Sequence, residues 1–583
     1  MASSIVRTHP TRIDRNGQAV RSSETSALFI LVSVVATVGV VAYSMFLLDP
    51  ANRGDPLPYA LVITAESILV FQALLSMWTI LSSGYEPRDF PYHEAKRVLL
   101  PPSARTDAPM RLGERDVLVD VFVTVYGEDL DTIRRTVSAA VAMRGAHRTW
   151  VLDDGRSDAV RDAAAELGAW YVRRLSSNGA KAGNVNHALS IAKGEFFAIF
   201  DADFVPDPDF LVETVPFFID ANVAFVQTPQ AYGNLHTTIA RGAAYMQTVF
   251  YRFVQRGRNR FNASFCVGTN VIFRRAAIDE IGGMHTDSKS EDVWTALALH
   301  ERGWRSVYIP DVLAVGDAPE TIEAYSKQQL RWATGGFEIL LTHFPLSPRR
   351  ALTGDQRIQY FVTATFYLTG ICPLLLLLVP PLEIYFDLRP MNLAITPLTW
   401  ALYYLGFYAV QILLAWFVVG SFRWETLTLA TVSFPIYAKA LWNVVSGKDV
   451  GWHVTGTASR RSPFEFIVPQ ILFFVFLALT SVVGVSRDVS IGSVTLATAW
   501  NITNTVLLGA FLVTAALEHR SVQQPARRPV PSPLPADAQP ITIVARPPAR
   551  DLMPEPVLAR RTHTLEPTSR RRRPHLTGRG ELA

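Results

Sequence analysis

The chain has 583 residues, of which 49% are hydrophobic and 18% are charged, with a formal net charge of +4. This length allows more than one domain, and so much charge excludes a uniformly apolar protein, so we expect apolar membrane spans separated from soluble parts. The only two cysteines, Cys266 and Cys372, exclude a disulfide scaffold.

Six apolar stretches are long enough to cross a bilayer as helices. They are residues 27–48, 59–81, 360–382, 397–420, 466–485 and 491–517. Four arginines precede the first stretch, whereas the short loop after it carries only Arg53. By the positive-inside rule, this asymmetry predicts that both termini and the polar middle of the chain lie in the cytoplasm.

One further apolar stretch, residues 424–445, contains Glu425, Pro435, Lys439 and Asn443. It could be a seventh span, or an amphipathic helix that lies on the cytoplasmic face of the membrane. The polar residues favour the interfacial helix.

Between the second and third spans, short apolar runs rich in β-branched and aromatic residues alternate with helical stretches. The strands are predicted in VLVDVFVTVY, RTWVLDD, AWYVRRL and EFFAIFDAD, and the helices at residues 130–143, 158–167 and 182–192. This alternation predicts a parallel sheet in an α/β domain, which binds its ligands beyond the carboxyl ends of the strands.

Paired carboxylates follow two of these strands. Asp153 and Asp154 could accept hydrogen bonds from a nucleotide base or ribose or approach a metal, but they could equally form a turn and cap a helix. Asp201 and Asp203 present two hard oxygen ligands, which suit Mg²⁺ or Mn²⁺. Such a cation neutralises the charge of a diphosphate leaving group.

Two further motifs carry candidate site residues. In Ser290-Glu291-Asp292, a carboxylate at the start of a helix could accept a proton from an acceptor hydroxyl, although the three residues alone favour a helix cap. In QQLRW, Gln328 and Arg331 share one helix face, and Trp332 offers a flat surface for a sugar. An arginine and a tryptophan are also common beside a membrane.

The ordered motifs DDG, DAD, SED and QQLRW resemble the signature D, DxD, TED and QxxRW of the processive glycosyltransferases of family 2. The segments KAGNVNHAL, FCVGTNVIFRR and RGWRSVYIP match as well. Within that family the chain resembles bacterial cellulose synthase catalytic subunits, in which an interfacial helix precedes a gating loop, FxVTxK. Here residues 424–445 precede WHVTGT at 452–457, with Thr457 in place of the lysine.

The resemblance implies three catalytic carboxylates. Asp292 is expected to be the base that deprotonates the acceptor hydroxyl. Asp201 and Asp203 are expected to hold the sugar diphosphate and its metal cofactor, Mg²⁺ or Mn²⁺.

The resemblance also implies substrate-binding residues. Asp153 or Asp154 would contact uridine, and Lys181 would lie near the nucleotide. Gln328, Arg331 and Trp332 would hold the diphosphate and the chain end, and Cys266 would line the acceptor site. With the SED glutamate and the VT pair of the gating-like loop, these residues are Asp153, Asp154, Lys181, Cys266, Glu291, Gln328, Arg331, Trp332, Val454 and Thr455.

The implied fold is a multi-span α-helical membrane protein with an inserted cytoplasmic α/β glycosyltransferase domain of the A type (GT-A). The expected parts are a polar leader (1–26), two spans (27–81), the glycosyltransferase domain (116–342), a juxtamembrane segment with two spans (343–423), the interfacial helix and gating-like loop (424–462), two spans (463–517) and a disordered Arg- and Pro-rich tail (518–583). No PilZ domain is expected after the last span.

The implied activity is that of a UDP-sugar-dependent hexosyltransferase, a UDP-forming cellulose synthase of the plasma (inner) membrane. It would polymerise a β-1,4 glucan from UDP-glucose and translocate it. Alternatives are curdlan, a mixed-linkage glucan, hyaluronan or poly-N-acetylglucosamine as product, or non-processive transfer to a lipid-linked acceptor. An inactive channel or scaffold is disfavoured because every motif carboxylate is present. The expected partners are the UDP-sugar, the growing polysaccharide, membrane lipids and an extracytoplasmic accessory subunit, and no nucleic acid.

Overall fold

In the computed structural model, the described residues are 12–13, 19–20, 27–100, 107–392, 394–419, 423–448, 462–522 and 543–545. Within the predicted leader, Arg12–Ile13 and Ala19–Val20 pair as two-residue antiparallel strands. The gating-like loop, with Val454 and Thr455, lies outside the described residues. The same holds for most of the tail.

Two long apolar helices, α1 (Ala27–Leu48) and α2 (Pro56–Leu81), lie before the α/β domain. A shorter helix, α3 (Phe90–Leu99), connects them to it. Asp89 begins this helix, because its carboxylate accepts a hydrogen bond from the Tyr92 backbone N–H at 3.0 Å.

The α/β domain alternates strands and helices as the sequence predicts. Its strands are β1 (Met110–Leu112), β2 (Arg115–Val117), β3 (Val119–Val125), β4 (His147–Asp153), β5 (Trp170–Arg173), β6 (Phe196–Asp201), β7 (Val205–Pro206), β8 (Val223–Gln227), β9 (Ala231–Tyr232), β10 (Val271–Arg274), β11 (Arg305–Tyr308) and β12 (Ala314–Gly316). Its helices are α4 (Leu130–Val141), α5 (Asp158–Leu167), α6 (Ala180–Ile191), α7 (Phe210–Thr214), α8 (Thr238–Val249), α9 (Gln255–Arg258), α10 (Arg275–Glu280), α11 (Glu291–Glu301) and α12 (Ile322–Thr342).

The central sheet has the strand order β11-β8-β10-β6-β3-β4-β5, and β5 pairs on its other side with a short tail strand, β13 (Ile543–Ala545). The four strands read from the sequence, β3 to β6, run parallel, as predicted. The sheet as a whole is mixed, because β10 runs antiparallel to both β6 and β8. β3 is buried along its whole length, as expected for a central parallel strand. A small sheet, β9-β12-β7, lies beside the end of β6.

The described residues between the α/β domain and the tail strand form eight further helices and their connections. They are α13 (Gly354–Thr365), α14 (Cys372–Phe386), α15 (Pro397–Val419), α16 (Trp424–Val432), α17 (Phe434–Val445), α18 (Pro463–Phe466), α19 (Val468–Ile491) and α20 (Leu496–Val522).

Among the described residues, four helical segments are long and apolar enough to cross a bilayer: Leu28–Leu48, Pro56–Gly84, Val468–Ile491 and Leu496–Arg520. The predicted third span is instead two helices, α13 and α14, bent by 43° relative to each other. Counted as one broken span, this pair raises the number of candidate spans among the described residues from four to five. Pro373 lies in the first turn of α14, where a proline starts a helix well. The predicted fourth span is α15, of which Leu402–Trp416 counts as a shorter apolar helix.

The predicted interfacial helix is two helices, α16 and α17, that meet at Ser433, followed by Pro435 in the first turn of α17. Both pack on the α/β domain. Glu425 on α16 accepts a hydrogen bond from Arg241 on α8 at 3.1 Å. Tyr437 on α17 donates a hydrogen bond to Gln329 on α12 at 2.9 Å. On the other side, Gln470 of α19 donates a hydrogen bond to the Val432 backbone carbonyl at 2.9 Å, so this stretch joins the α/β domain to the apolar helices.

The prediction of disorder from residue 518 is wrong at two places. Helix α20 continues to Val522, and residues 543–545 form the strand β13. The polar residues that follow the predicted span continue α20, where Glu518 accepts hydrogen bonds from the Ile322 backbone N–H, and Ile543 and Val544 are β-branched residues that favour a strand.

Candidate active site

A cleft of about 450 Å³ opens at the carboxyl ends of β3, β4 and β6. The structure brings most of the predicted site residues to its wall. These are Asp154, Lys181, Asp201, Asp203, Glu291, Asp292, Gln328, Arg331 and Trp332.

The two carboxylates of DDG have different surroundings. Asp153 is fully buried and accepts hydrogen bonds from the backbone N–H of Arg156 at 2.9 Å, the backbone N–H of Ser157 at 2.7 Å and the Tyr171 hydroxyl at 2.8 Å. The turn-and-cap alternative therefore describes Asp153. Asp154, one residue further on, lines the cleft.

Asp154 forms a buried, bidentate ion pair with Arg174. The Nε and Nη2 atoms of Arg174 each donate to one carboxylate oxygen at 2.7 Å. The same guanidinium donates to the backbone carbonyls of Asn178 at 2.7 Å and Ala180 at 2.6 Å. Arg174 thereby fixes both Asp154 and the loop that leads into α6.

The loop before α6 depends on Gly179. This residue has φ +69°, and a Cβ atom there would lie 2.9 Å from Thr286 Cγ2. A glycine satisfies both constraints. The resulting turn starts α6 at Ala180, two residues earlier than predicted, and brings Lys181 to the cleft.

Lys181 lies against the DxD motif. Its Nζ forms an ion pair with Asp201, whose carboxylate also accepts a hydrogen bond from the Thr124 hydroxyl at 3.1 Å. The pKa of Asp203 is raised well above its ordinary value, first by burial and then by the charges of Asp201, Glu128 and other carboxylates.

This donor set fits a divalent cation. Such a cation would relieve the repulsion of Asp203 by Asp201 and Glu128, and carboxylate oxygens are the preferred donors for Mg²⁺ or Mn²⁺. In the described part of the chain, no three acidic, histidine or cysteine side chains are grouped to hold a metal. The protein would therefore supply few ligands, and water and phosphate oxygens would complete the shell.

Glu291 and Asp292 are the first two residues of α11, and both line the cleft. Among the described contacts, the Ser290 hydroxyl makes no capping hydrogen bond and packs against Gly335 of α12. Burial raises the pKa of Asp292, while the positive charges of Arg331 and Lys181 oppose that rise. Burial also raises the pKa of Glu291, and the charge of Asp292 raises it further.

Helix α12 carries the QQLRW motif between the cleft and the apolar helices. Gln328, Arg331 and Trp332 line the cleft, whereas Gln329 points to α17. The first turn of α12 is held by α20, because both carboxylate oxygens of Glu518 accept from the Ile322 backbone N–H, at 3.1 and 3.0 Å.

Cys266 lies behind the cleft wall. It is fully buried, its sulfur accepts a hydrogen bond from the Gly268 backbone N–H at 3.4 Å, and burial raises the pKa of its thiol. Gly268 lines the cleft in its place, and a Cβ atom there would lie 3.2 Å from Asp292 Oδ2. This segment therefore reaches the cleft through Val267 and Gly268, and not through Cys266.

The cleft also contains residues that the sequence reading missed. Examples are Thr124, Tyr126, Glu128, Gln230 and Asp317. Burial raises the pKa of Glu128 to about 7, although its hydrogen bond from the Tyr126 backbone N–H at 2.6 Å lowers it. Glu128 comes three residues after the end of β3, in the segment TVYGED. The expectation that ligands bind beyond the carboxyl ends of parallel strands, which singled out DDG and DAD, would therefore also have found Glu128.

Two family descriptions match the chain. Residues 116–335 match "Glycosyltransferase like family 2", and residues 278–447 match "Cellulose synthase". The chain is 32% identical over 441 residues to the "Cellulose synthase catalytic subunit [UDP-forming]" of Xanthomonas axonopodis pv. citri (strain 306), covering 71% of this chain and 60% of that protein. It is 30% identical over 387 residues to the "Cellulose synthase 1 catalytic subunit [UDP-forming]" of Komagataeibacter xylinus, covering 62% and 50%.

The chain spans between 18% and 60% of the length of the curated cellulose synthases that it matches. A solved structure, the mannosyltransferase PcManGT from Pyrobaculum calidifontis in complex with GDP-Man and Mn²⁺, aligns with 18% identity and a TM-score of 0.42, covering 66% of this chain and all of that one. The helices that could span a bilayer and the cellulose synthase match indicate a membrane protein. The α/β domain is similar to the glycosyltransferases of family 2, and the chain resembles bacterial cellulose synthase catalytic subunits.

Proposed function

We propose that the protein is a processive, inverting glycosyltransferase that polymerises a β-linked glucan, in the first place β-1,4 cellulose, from UDP-glucose. The growing chain would pass through the apolar helices, away from a cytoplasmic catalytic domain. One observation carries the proposal: a single cleft contains the acidic and basic groups for nucleotide-sugar chemistry, and α12 forms part of its wall. The same helix is hydrogen-bonded to α17 and α20.

Nucleotide binding is assigned to the side of the cleft formed by β4 and α6. Asp154, held by Arg174, is the carboxylate available to the uridine, whereas Asp153 is committed to its turn. Lys181 and Arg331 supply positive charge for the diphosphate. Asp201 and Asp203 would hold Mg²⁺ or Mn²⁺, which when bound neutralises the charge of the diphosphate leaving group.

The chemical step is assigned to Asp292. Its carboxylate accepts the proton of an acceptor hydroxyl while that oxygen attacks the anomeric carbon from the face opposite the diphosphate. The bond from the anomeric carbon to the diphosphate oxygen breaks, UDP leaves, and an α-linked donor becomes a β-linked product. The positive charges of Lys181 and Arg331 oppose the rise in the pKa of Asp292 that burial causes, and so favour the ionised form that a base requires.

Processivity is assigned to α12. Trp332 offers an aromatic face for the terminal sugar, and Gln328 offers hydrogen bonds beside it. Glu291 and the backbone at Gly268 complete the acceptor side, in front of Cys266. The role of Val454 and Thr455 as substrate contacts stays a prediction, as do the domain plan at the termini and an extracytoplasmic accessory subunit.

The proposal is tested by incubating membranes that contain the protein with radiolabelled UDP-glucose, UDP-N-acetylglucosamine or UDP-glucuronate. The polymer is then digested with linkage-specific glycosidases. We expect incorporation from UDP-glucose alone, into a polymer cut by a β-1,4-glucanase. Incorporation from another sugar, or a curdlan-type or mixed linkage, would change the product assignment. Transfer of a single sugar to lipid would refute processivity.

A further inference from the structure

We propose that the carboxyl-terminal tail carries a strand, β13 (Ile543–Ala545), that binds the exposed edge of the catalytic sheet and steadies Arg174 from outside the cleft. The edge in question is β5, which without the tail would end the sheet on that side. β13 pairs with it antiparallel, with Ile543 opposite Arg173, Val544 opposite Val172 and Ala545 opposite Tyr171.

The tail sequence favours a short strand at this place. Most of the tail is rich in proline, arginine and alanine, but residues 541–546 read ITIVAR and are bounded by Pro540 and Pro547. β-Branched residues favour strands, and β13 lies within this short segment between the two prolines. An unpaired edge strand exposes backbone hydrogen-bonding groups that proteins usually cover.

The occupant is this chain's own tail. Helix α20 ends at Val522, so 20 residues (523–542) separate it from β13. A linker of that length reaches about 70 Å when fully extended. The short tether also gives the segment a high effective concentration at the edge, which a segment from another molecule would not have.

The docked strand acts next to the site. β5 ends at Arg173, and the following residue, Arg174, holds Asp154 and the carbonyls of Asn178 and Ala180. Pairing with β13 therefore restrains the backbone immediately before this arginine. We infer that the docked tail lowers the KM for the UDP-sugar. This consequence rests on the proposed function, whereas the pairing itself does not.

The pairing is tested by disulfide cross-linking in the full-length, membrane-inserted protein. Residues directly opposite each other in an antiparallel pair have Cα atoms about 4.5–5.5 Å apart, within the range that a disulfide spans. We expect Arg173→Cys/Ile543→Cys to form an intramolecular disulfide under mild oxidation, seen by mass spectrometry. The control Arg173→Cys/Ala536→Cys places the second cysteine in the same tail but outside the strand. Equal cross-linking in both variants, none in either, or cross-linked dimers would overturn the assignment.

The consequence for the site is tested with Ile543→Pro/Val544→Pro. Neighbouring N–H groups point to opposite sides of a strand, so the double substitution removes at least one ladder donor. The control is Ala536→Pro. We expect faster hydrogen exchange at residues 170–173 and a several-fold higher KM for the UDP-sugar at nearly unchanged kcat in the double variant only. Unchanged exchange would refute the strand, and faster exchange with unchanged KM would refute the link to Arg174.

Discussion

Helices α11 and α12 touch where Ser290 meets Gly335, and this contact sets the distance between the proposed base and the QQLRW residues. A Cβ atom on Gly335 would overlap the Ser290 side chain and lie 2.9 Å from the Ser290 backbone nitrogen. Gly335→Ala must therefore push α12 away from α11. Inserting a methyl group into a packed contact costs about 1–3 kcal/mol. If the whole of that cost raises the activation free energy, kcat drops by about 5- to 150-fold, because about 1.4 kcal/mol corresponds to a factor of ten in rate.

The assay compares the rate of polymer formation by Gly335→Ala with that of Gly354→Ala at equal protein levels. Gly354 is the matched control, because a Cβ atom there meets nothing within 4 Å. Adding Ser290→Gly to Gly335→Ala removes the overlapping side chain and is expected to recover part of the activity. Full activity in Gly335→Ala, or no recovery in the double variant, would refute the claim that this contact positions α12.

Four further predictions follow from the site. Asp292→Asn is expected to lower kcat by about 10²–10⁴-fold, the usual value of a general base, while UDP binding measured by calorimetry stays the same; weaker UDP binding would contradict the assignment. Because burial raises the pKa of Asp292 and the base works ionised, kcat/KM is expected to fall as the pH drops through a value above the ordinary 3.8, and a flat profile down to pH 4 would contradict this. A chelator is expected to stop transfer and Mg²⁺ or Mn²⁺ to restore it, with Asp203→Asn unresponsive to the added metal; transfer that persists in the chelator would remove the metal from the account. Glu518→Ala, which frees the Ile322 N–H, is expected to cost about 0.5–2 kcal/mol and shorten the polymer, whereas the exposed Glu465→Ala leaves product length unchanged.

The sequence located the cleft because its chemistry follows strand ends. Asp154, Asp201 and Asp203 each come directly after a buried apolar run, and parallel strands deliver such residues to one edge of the sheet. The sequence could not show which of Asp153 and Asp154 caps the turn and which lines the cleft. Both follow β4, and only the geometry of the turn decides which carboxylate receives the backbone N–H groups.

Other features depend on contacts between residues distant in sequence. Asp317 reaches the cleft from the loop after β12, and the partner of Asp154, Arg174, comes from the end of another strand. The FCVG segment predicts proximity to the acceptor but not which of its residues faces the cleft; in the structure these are Val267 and Gly268, and Cys266 lies behind them. Hydropathy finds the apolar stretch of the third span but not its 43° bend, since the bend lies within an apolar run.

The central claim joins polymerisation to export, and one measurement tests both. Sealed membrane vesicles with the catalytic domain outward are given radiolabelled UDP-glucose and then a β-1,4-glucanase, before or after permeabilisation. The account predicts a long polymer from the first turnovers that resists the glucanase until the vesicles are opened. Short products, or a long polymer that is digested in sealed vesicles, would contradict it.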